Sequence, residues 1–199
     1  MMLHLFFQWL GNNYIELLGS VLGFAYILLS IKQNIWCWPV GLATSALYIY
    51  VFFVSKFYAD MGLQVYYVIA SIYGWFHWMY GAKSHKSDDL KISKTRIKLA
   101  VLLFIINGIL FWVIAYILIN YTDSDIPYWD AFTTAASFVA TWMLARKMIE
   151  HWIIWIIVDA VSLGLYVYKG LYPTVILFAI YTAMAVIGYI QWRKQLIQQ

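Results

Sequence analysis

Long apolar runs separated by short polar segments follow one another along the whole chain. A helix needs about 20 mostly apolar residues to cross the hydrocarbon core of a bilayer. We predict helices of this kind at 14–31, 36–54, 58–80, 98–120, 129–145, 152–168 and 173–192. The links 55–57 and 169–172 are short enough to predict tight antiparallel helix pairs. The pattern therefore predicts an all-α integral membrane protein with seven transmembrane helices.

Composition indicates the same class of protein. Apolar side chains make up 64% of the 199 residues and charged side chains 11%, against about 45–50% and about 25% in soluble domains. Aromatic residues reach 20%, and many lie at the ends of apolar runs, where their rings favour the membrane interface. The formal net charge of +4 is concentrated in a few loops. We therefore expect the lipid bilayer, and no nucleic acid, as a partner.

Basic residues divide unequally between the two ends of the predicted helices. One side holds only Lys56 and Lys169. The other side holds Lys32, Lys83, Lys86, Lys91, Lys94, Arg96, Lys98, Arg146, Lys147, Arg193 and Lys194. Because cytoplasmic loops collect Lys and Arg, we predict a bacterial inner-membrane protein with its N-terminus outside and its C-terminus in the cytoplasm. The N-terminus lacks the pattern of a cleaved secretory signal, so we expect the first apolar segment to be retained.

The first three predicted helices resemble the last three. Residues 47–50 recur, with one Ile-to-Val change, 118 positions later at 165–168. Three further pairs lie 114 positions apart: Tyr58 and Tyr172, Gly74 and Gly188, Trp78 and Trp192. One short gap would reconcile the two spacings, and it makes Thr44 equivalent to Ser162. Coincidence among aromatic-rich helices is the alternative.

A repeat of this kind predicts the organisation of the chain. Residues 1–80 would form the first three-helix repeat, 81–128 a cytoplasmic loop with linking helix 4, and 129–199 the second three-helix repeat. Because a single linking helix restores the direction of the chain, the two repeats run parallel, in a 3+1+3 arrangement. Transporters are often built from such repeats and bind their substrates between them.

Asp159 is the residue that points most directly to function. An ionisable side chain at the centre of a membrane helix costs about 3 kcal/mol or more, so it faces a cavity or a partner. Helical spacing places Trp152 and Trp155 on the same face. Two indoles and a carboxylate suit a flat cationic solute, through stacking, cation–π contact and charge balance. The alternative is a structural role, in which Asp159 pairs with a Lys or with a neighbouring helix.

Further polar and aromatic residues at membrane depth complete the predicted substrate site. They are Tyr166 from the second repeat, Asn107 from the linking helix, and Thr44, Gln64, Tyr67 and Ser71 from the first repeat. Small hydroxyl side chains also pack membrane helices together, which is the alternative for most of them. The sequence has no His-x-x-x-His pair and no phosphate-binding glycine loop, and its single cysteine, Cys37, allows no disulfide within the chain. We expect no metal site, no cofactor and no enzymatic activity.

The run from Trp152 to Asp159 resembles the Trp-x-x-Trp-x-x-x-Asn/Asp signature of the PnuC vitamin transporters. Residues 58–64 with 73–78, and 128–130 with 146–147, resemble other helices of that family. The resemblance implies two parallel three-helix repeats, similar to a full-length SWEET fold, and a homotrimer with a pore in each protomer. It also implies facilitated diffusion of an unphosphorylated vitamin, which a cytoplasmic kinase traps by phosphorylation.

The substrate implied by the resemblance depends on one position. Nicotinamide riboside carriers of the family have Asn where this chain has Asp159. Thiamine carries a permanent thiazolium cation that a buried carboxylate would balance, so the resemblance favours the thiamine branch, PnuT. Nicotinamide riboside is also cationic and is the alternative, followed by another nucleoside or a flavin. A membrane enzyme or a receptor without transport would be the rival class.

Overall fold

The computed structural model describes residues 18–54, 58–81, 90–168, 170 and 172–199. The helices in these residues are α1 Leu18–Ile31, α2 Cys37–Val54, α3 Tyr58–Tyr80, α4 Ile97–Tyr121, α5 Pro127–Ala145, α6 His151–Tyr168 and α7 Tyr172–Gln198. The predicted helices agree with these bounds to within a few residues, except at the end of α7. The predicted start of the first helix and the link 55–57 lie outside the described residues.

The apolar content of the helices confirms a multi-pass membrane protein. By length and composition, α2, α4, α6 and residues Thr174–Gln198 of α7 are each able to cross a bilayer. The helices α3 and α5 are more polar, because they carry side chains such as Gln64 and Thr141. The described part of α1 is shorter than a full crossing. The total of seven crossings therefore stays a prediction.

The start and the buried face of α5 follow from its sequence. Pro127 occupies the first turn, where its fixed φ is favourable. The Ser124 hydroxyl donates a hydrogen bond to the Asp130 carboxylate over 2.5 Å, and a negative charge there is stabilised by the helix dipole. Alanines fill much of the buried face: Ala131, Ala135, Ala136, Ala140 and Ala145. Small side chains allow the neighbouring membrane helices to approach closely.

The chain forms two compact units, Met1–Met79 and Tyr80–Gln199. The first unit contains α1, α2 and nearly all of α3. The second unit contains α4 to α7, in which α5 packs against α4 and α6, and α6 packs against α7.

The helix bounds of the two units repeat at a constant offset of 114 residues. The corresponding ends are Ile31 and Ala145, Cys37 and His151, Val54 and Tyr168, and Tyr58 and Tyr172. The turns before α2 and α6 match as well, because Gln33 and Lys147 have φ values of 52° and 51°. This left-handed conformation commonly ends a helix.

This constant offset corrects the alignment of the two repeats that was predicted from the sequence. Since α2 and α6 begin and end 114 residues apart, no gap separates them from the helices that follow. The similarity at 118 residues between 47–50 and 165–168 has no counterpart in the helix bounds. The predicted equivalence of Thr44 with Ser162 is therefore wrong, and Asp159 corresponds to Ser45 instead.

The segment 90–96, called here the α4 leader, is fixed to the turn between α5 and α6. The Ser93 N–H donates to the Lys147 carbonyl oxygen, and the Ile149 N–H donates to the Ser93 carbonyl oxygen, each over 3.0 Å. Glu150 Oε2 accepts from the Thr95 N–H over 3.0 Å and from the Thr95 hydroxyl over 2.6 Å. This end of the predicted loop before helix 4 is therefore anchored by specific hydrogen bonds.

We expect Glu150→Ala to release the α4 leader. Both hydrogen bonds to Glu150 Oε2 would be lost. A hydrogen bond to a charged group contributes about 1.5–3 kcal/mol to stability. Backbone hydrogen exchange at residues 93–96 should then become at least tenfold faster. Glu150→Gln keeps one acceptor oxygen at this place and should cause a smaller increase. Unchanged exchange in Glu150→Ala would show that the Ser93 bridge alone holds the leader.

Candidate functional site

Asp159 lies near the middle of α6. At 1.5 Å per residue, it is about 12 Å from the start of a helix that runs from His151 to Tyr168. Only 7% of the residue is exposed. Among the residues that the structure describes, none donates a hydrogen bond to this carboxylate or forms an ion pair with it. The structural alternative, a pairing with Lys or a neighbouring helix, therefore finds no partner within the described parts of the chain.

The face of α6 that carries Asp159 continues in both directions. Trp155 and Tyr166 are half-buried, and Ser162 is buried one turn beyond the carboxylate. The Tyr166 ring lies 4.9 Å from the ring of Phe178 on α7. Trp155 thus places a partly accessible indole one turn from the carboxylate, which is the arrangement predicted for stacking on a cationic ring.

Trp152 has a different environment from Trp155. It is 4% exposed, its ring centroid lies 5.7 Å from that of Trp192 at an interplanar angle of 84°, and it covers Gly188. A Cβ added at Gly188 would lie 2.7 Å from the Trp152 ring. The His151 ring packs against the same indole at an interplanar angle of 41°, with ring centroids 4.5 Å apart. These contacts explain Trp152 as a packing residue, and its predicted contact with a substrate stays a prediction.

The first unit contains the same packing unit. Trp38 covers Gly74 and meets Trp78 edge-on, with ring centroids 5.3 Å apart and an interplanar angle of 90°. All three residues lie 114 positions before Trp152, Gly188 and Trp192. In both units the indole Nε1 of the first tryptophan is buried without a hydrogen-bond partner in the described structure. The duplicated contact supports the repeat independently of the helix bounds.

The site residues predicted from the first repeat lie in the first unit. The Thr44 hydroxyl donates to the Val40 carbonyl oxygen over 2.8 Å, so its hydroxyl proton is used within its own helix. Gln64 and Tyr67 are half-buried, and Ser71 is 5% exposed. A Cβ added at Gly41 would lie 3.3 Å from Ser71 Oγ, which places Ser71 beside α2. Their contribution to a common site with Asp159 stays a prediction.

Asn107 lines a different part of the second unit. A cavity of about 340 Å³ lies between α4, α5 and α6, and Asn107 lines it together with Ile154, Ile157 and Val158 of α6. On a helix with about 100° per residue, Ile154 lies about 120°, Ile157 about 180° and Val158 about 80° from the midpoint of Trp155 and Asp159. The structure therefore does not bring Asn107 onto the Asp159 side of α6.

The offset of 114 residues identifies two positions of α2 that correspond to Asp159 and Trp155 and that were not predicted as site residues. Ser45, the counterpart of Asp159, is 4% exposed. Gly41 is the counterpart of Trp155, and a Cβ at Gly41 would lie 2.9 Å from the ring of Tyr26. Extending the offset of Trp78 and Trp192 back through α2 would have identified these positions from the sequence. In the described ranges, no group of three or more His, Cys, Asp or Glu side chains is placed to hold a metal ion.

Comparisons with known proteins point to one family. A sequence profile described as nicotinamide mononucleotide transporter matches residues 13–194. The nicotinamide riboside transporter PnuC of Escherichia coli strain K12 is 24% identical over 204 residues, which cover 90% of this chain and 85% of that protein. The riboflavin/roseoflavin transporter RibM of Streptomyces davaonensis is 26% identical over 180 residues, with 89% and 83% covered.

A solved structure shows the same fold. The crystal structure of the vitamin B3 transporter PnuC superposes with a TM-score of 0.76, at 22% sequence identity, over 98% of this chain and 87% of that one. At this identity the likeness supports the fold and leaves the substrate to be argued from the site.

Proposed function

The chain belongs to the nicotinamide mononucleotide transporter family, and we propose that it takes up an unphosphorylated vitamin with a cationic aromatic ring. Uptake would occur by facilitated diffusion, and a cytoplasmic kinase would trap the vitamin by phosphorylation. The family and the relatives of this chain are described as transporters. Membership of the family therefore supports a carrier over the rival classes of membrane enzyme or receptor.

The observation that carries this proposal is the Asp159 carboxylate. It is nearly buried at mid-helix and has no partner of opposite charge among the described residues. A membrane helix tolerates such a group when a ligand or a water-filled cavity satisfies it. A cation bound beside Trp155 would be balanced by the carboxylate and stacked on the indole. A neutral isoalloxazine, as in riboflavin, gains nothing from that charge.

Nicotinamide riboside is the first candidate substrate. The name of the PnuC relative from Escherichia coli includes nicotinamide riboside. The pyridinium ring of this vitamin is flat and positively charged. The comparisons thus favour nicotinamide riboside over the thiamine branch that the motif alone suggested. Thiamine is the second candidate, because this chain has Asp159 where nicotinamide riboside carriers of the family have Asn, and its thiazolium cation suits a carboxylate.

The architecture proposed with this function is the parallel 3+1+3 arrangement. The 114-residue offset in helix bounds, in the positive-φ turn and in the Trp–Gly–Trp contact supports it. Its proposed segments are the repeats 1–80 and 129–199, joined by a loop and linking helix 4. We further propose a homotrimer in the bacterial inner membrane, with the N-terminus outside and the C-terminus in the cytoplasm, on the unequal division of basic residues.

Ligand titration tests the substrate. Purified protein in detergent is titrated with nicotinamide riboside, thiamine and riboflavin while tryptophan fluorescence is followed. We expect quenching by nicotinamide riboside at the lowest concentration, because Trp155 would contact the ring. Tighter quenching by thiamine would reverse the order of the two candidates. Tighter quenching by riboflavin than by either cation would contradict the role proposed for Asp159.

Solute flux tests transport itself. Liposomes that contain only this protein should accumulate labelled vitamin to the external concentration and no further. Adding the matching kinase and ATP inside the liposomes should raise accumulation well above that level. Binding without flux would identify a receptor, and accumulation against a gradient without kinase would contradict facilitated diffusion.

A further inference from the structure

The cavity between α4, α5 and α6 forms a groove separate from the Asp159 face. Its lining is almost entirely apolar and includes Ala100, Leu103 and Phe104 of α4 and Ala136 and Val139 of α5. Phe104 is 79% exposed, so the α4 side of the groove borders the surroundings of the protein. At this depth those surroundings are the lipid bilayer.

One end of the groove is marked by positive charge. Thr95 of the α4 leader lines this end, and Lys94 and Arg96, which are its neighbours in sequence, are both exposed. Arg96 is the N-cap of α4 and lies one turn before Ala100, so it continues the helix stripe that lines the groove. Glu150 also lines this end, but its Oε2 already accepts two hydrogen bonds from Thr95. Two exposed cations therefore flank Thr95, and the one carboxylate at this end already accepts two hydrogen bonds.

We propose that this groove binds an anionic phospholipid. One acyl chain would lie along the apolar lining between α4 and α5, and the phosphate would lie beside Lys94 and Arg96. An acyl chain explains why an apolar cavity persists at membrane depth, and a phosphate explains why the cations collect at its mouth. Basic pockets between membrane helices on the cytoplasmic side are suited to anionic headgroups.

Asn107 distinguishes a lipid from a polar solute. It lines the groove, and its Oδ1 atom is buried without a hydrogen-bond partner among the described residues. A polar solute in the groove would pair with this amide, whereas an acyl chain would not. Asn107→Leu should therefore retain the lipid at least as well as the unchanged protein.

Native mass spectrometry of the detergent-solubilised protein tests the proposal. The probes are phosphatidylglycerol and phosphatidylcholine with identical acyl chains. We expect phosphatidylglycerol to bind more tightly. The double variant Lys94→Gln, Arg96→Gln should weaken its binding about 25-fold, since each cation near an anionic surface contributes about fivefold. The matched control, Arg193→Gln with Lys194→Gln, removes two exposed cations of α7 outside the groove and should change binding less than twofold.

Three outcomes of these measurements would overturn the proposal, and a filling variant adds a fourth. They are equal binding of the two lipids, equal losses in the two double variants, and loss of lipid binding in Asn107→Leu. A filling variant, Ala100→Phe, should reduce the binding of both lipids, because it occupies the space of the acyl chain. Undiminished binding by folded Ala100→Phe would also contradict it. If that variant does not fold, the charge variants and Asn107→Leu still decide the result.

Discussion

Replacing Asp159 by Asn should weaken the binding of a cationic vitamin about 10- to 100-fold. The amide preserves shape and hydrogen bonding but removes the charge that we propose to balance the ring, and interactions with a charged group contribute about 1.5–3 kcal/mol. Fluorescence titration or calorimetry with nicotinamide riboside and thiamine measures the change. Affinity for neutral riboflavin should be unaffected.

The matched control for this variant is Asp130→Asn. Asp130 lies in the first turn of α5 and accepts a hydrogen bond from Ser124, so its loss should change helix stability slightly and vitamin affinity less than twofold. If Asp159→Asn binds either cationic vitamin as tightly as the unchanged protein, the carboxylate does not balance the substrate's charge. Equal losses in the two variants would indicate a general effect of removing acidic residues.

Gly188→Ala should destabilise the protein by about 1–3 kcal/mol, the usual cost of overpacking a well-filled core. The added Cβ would lie 2.7 Å from the Trp152 ring, and that ring is confined by His151 and Trp192. Thermal unfolding in detergent, followed by loss of the monodisperse elution peak, measures the effect. Gly74→Ala should behave similarly, because Trp38 covers Gly74 in the same way.

Gly164→Ala provides the control for overpacking. It adds the same methyl group to a membrane helix, but no atom lies within 4 Å of the new Cβ, so stability should be unchanged or slightly higher. Combining Gly188→Ala with Trp152→Leu should cost less than the two changes measured separately, since the smaller side chain relieves the clash. Additive losses would show that Gly188 is constrained by something other than Trp152.

The helices were predictable from sequence because membrane depth imposes a length of apolar sequence. The α4 leader was not, because its hydrogen bonds join Thr95 to Glu150, which are 55 residues apart, and local pattern carries no information about that pairing. The predicted end of α7 was too early because the helix continues beyond its apolar stretch. Arg193 and Lys194 mark the end of the apolar stretch, whereas the backbone remains helical to Gln198.

The candidate site was predicted only in part. Spacing placed Trp152 and Trp155 on one face of α6, but only the structure shows that Gly188 accommodates the first indole. Asn107 was predicted to belong to the site with Asp159, yet it lines the groove on another face of α6. The isolation of Asp159 among the described residues is also a property of the fold, because no local pattern tells whether a distant helix supplies a cation.

The two units differ in which helix carries the bulky ring at one pair of corresponding positions. In the first unit Tyr26 of α1 lies against Gly41 of α2, and their counterparts 114 residues later are Ala140 and Trp155. In the first unit, a second ring at position 41 would compete with Tyr26 for one space, and loss of the Tyr26 ring alone would leave a hollow; each of these changes is costly. The helices α2 and α6 are therefore not interchangeable by themselves. A chimera with α6 in the place of α2 would bring the Trp155 ring against Tyr26, so position 26 on the preceding helix would have to be exchanged as well.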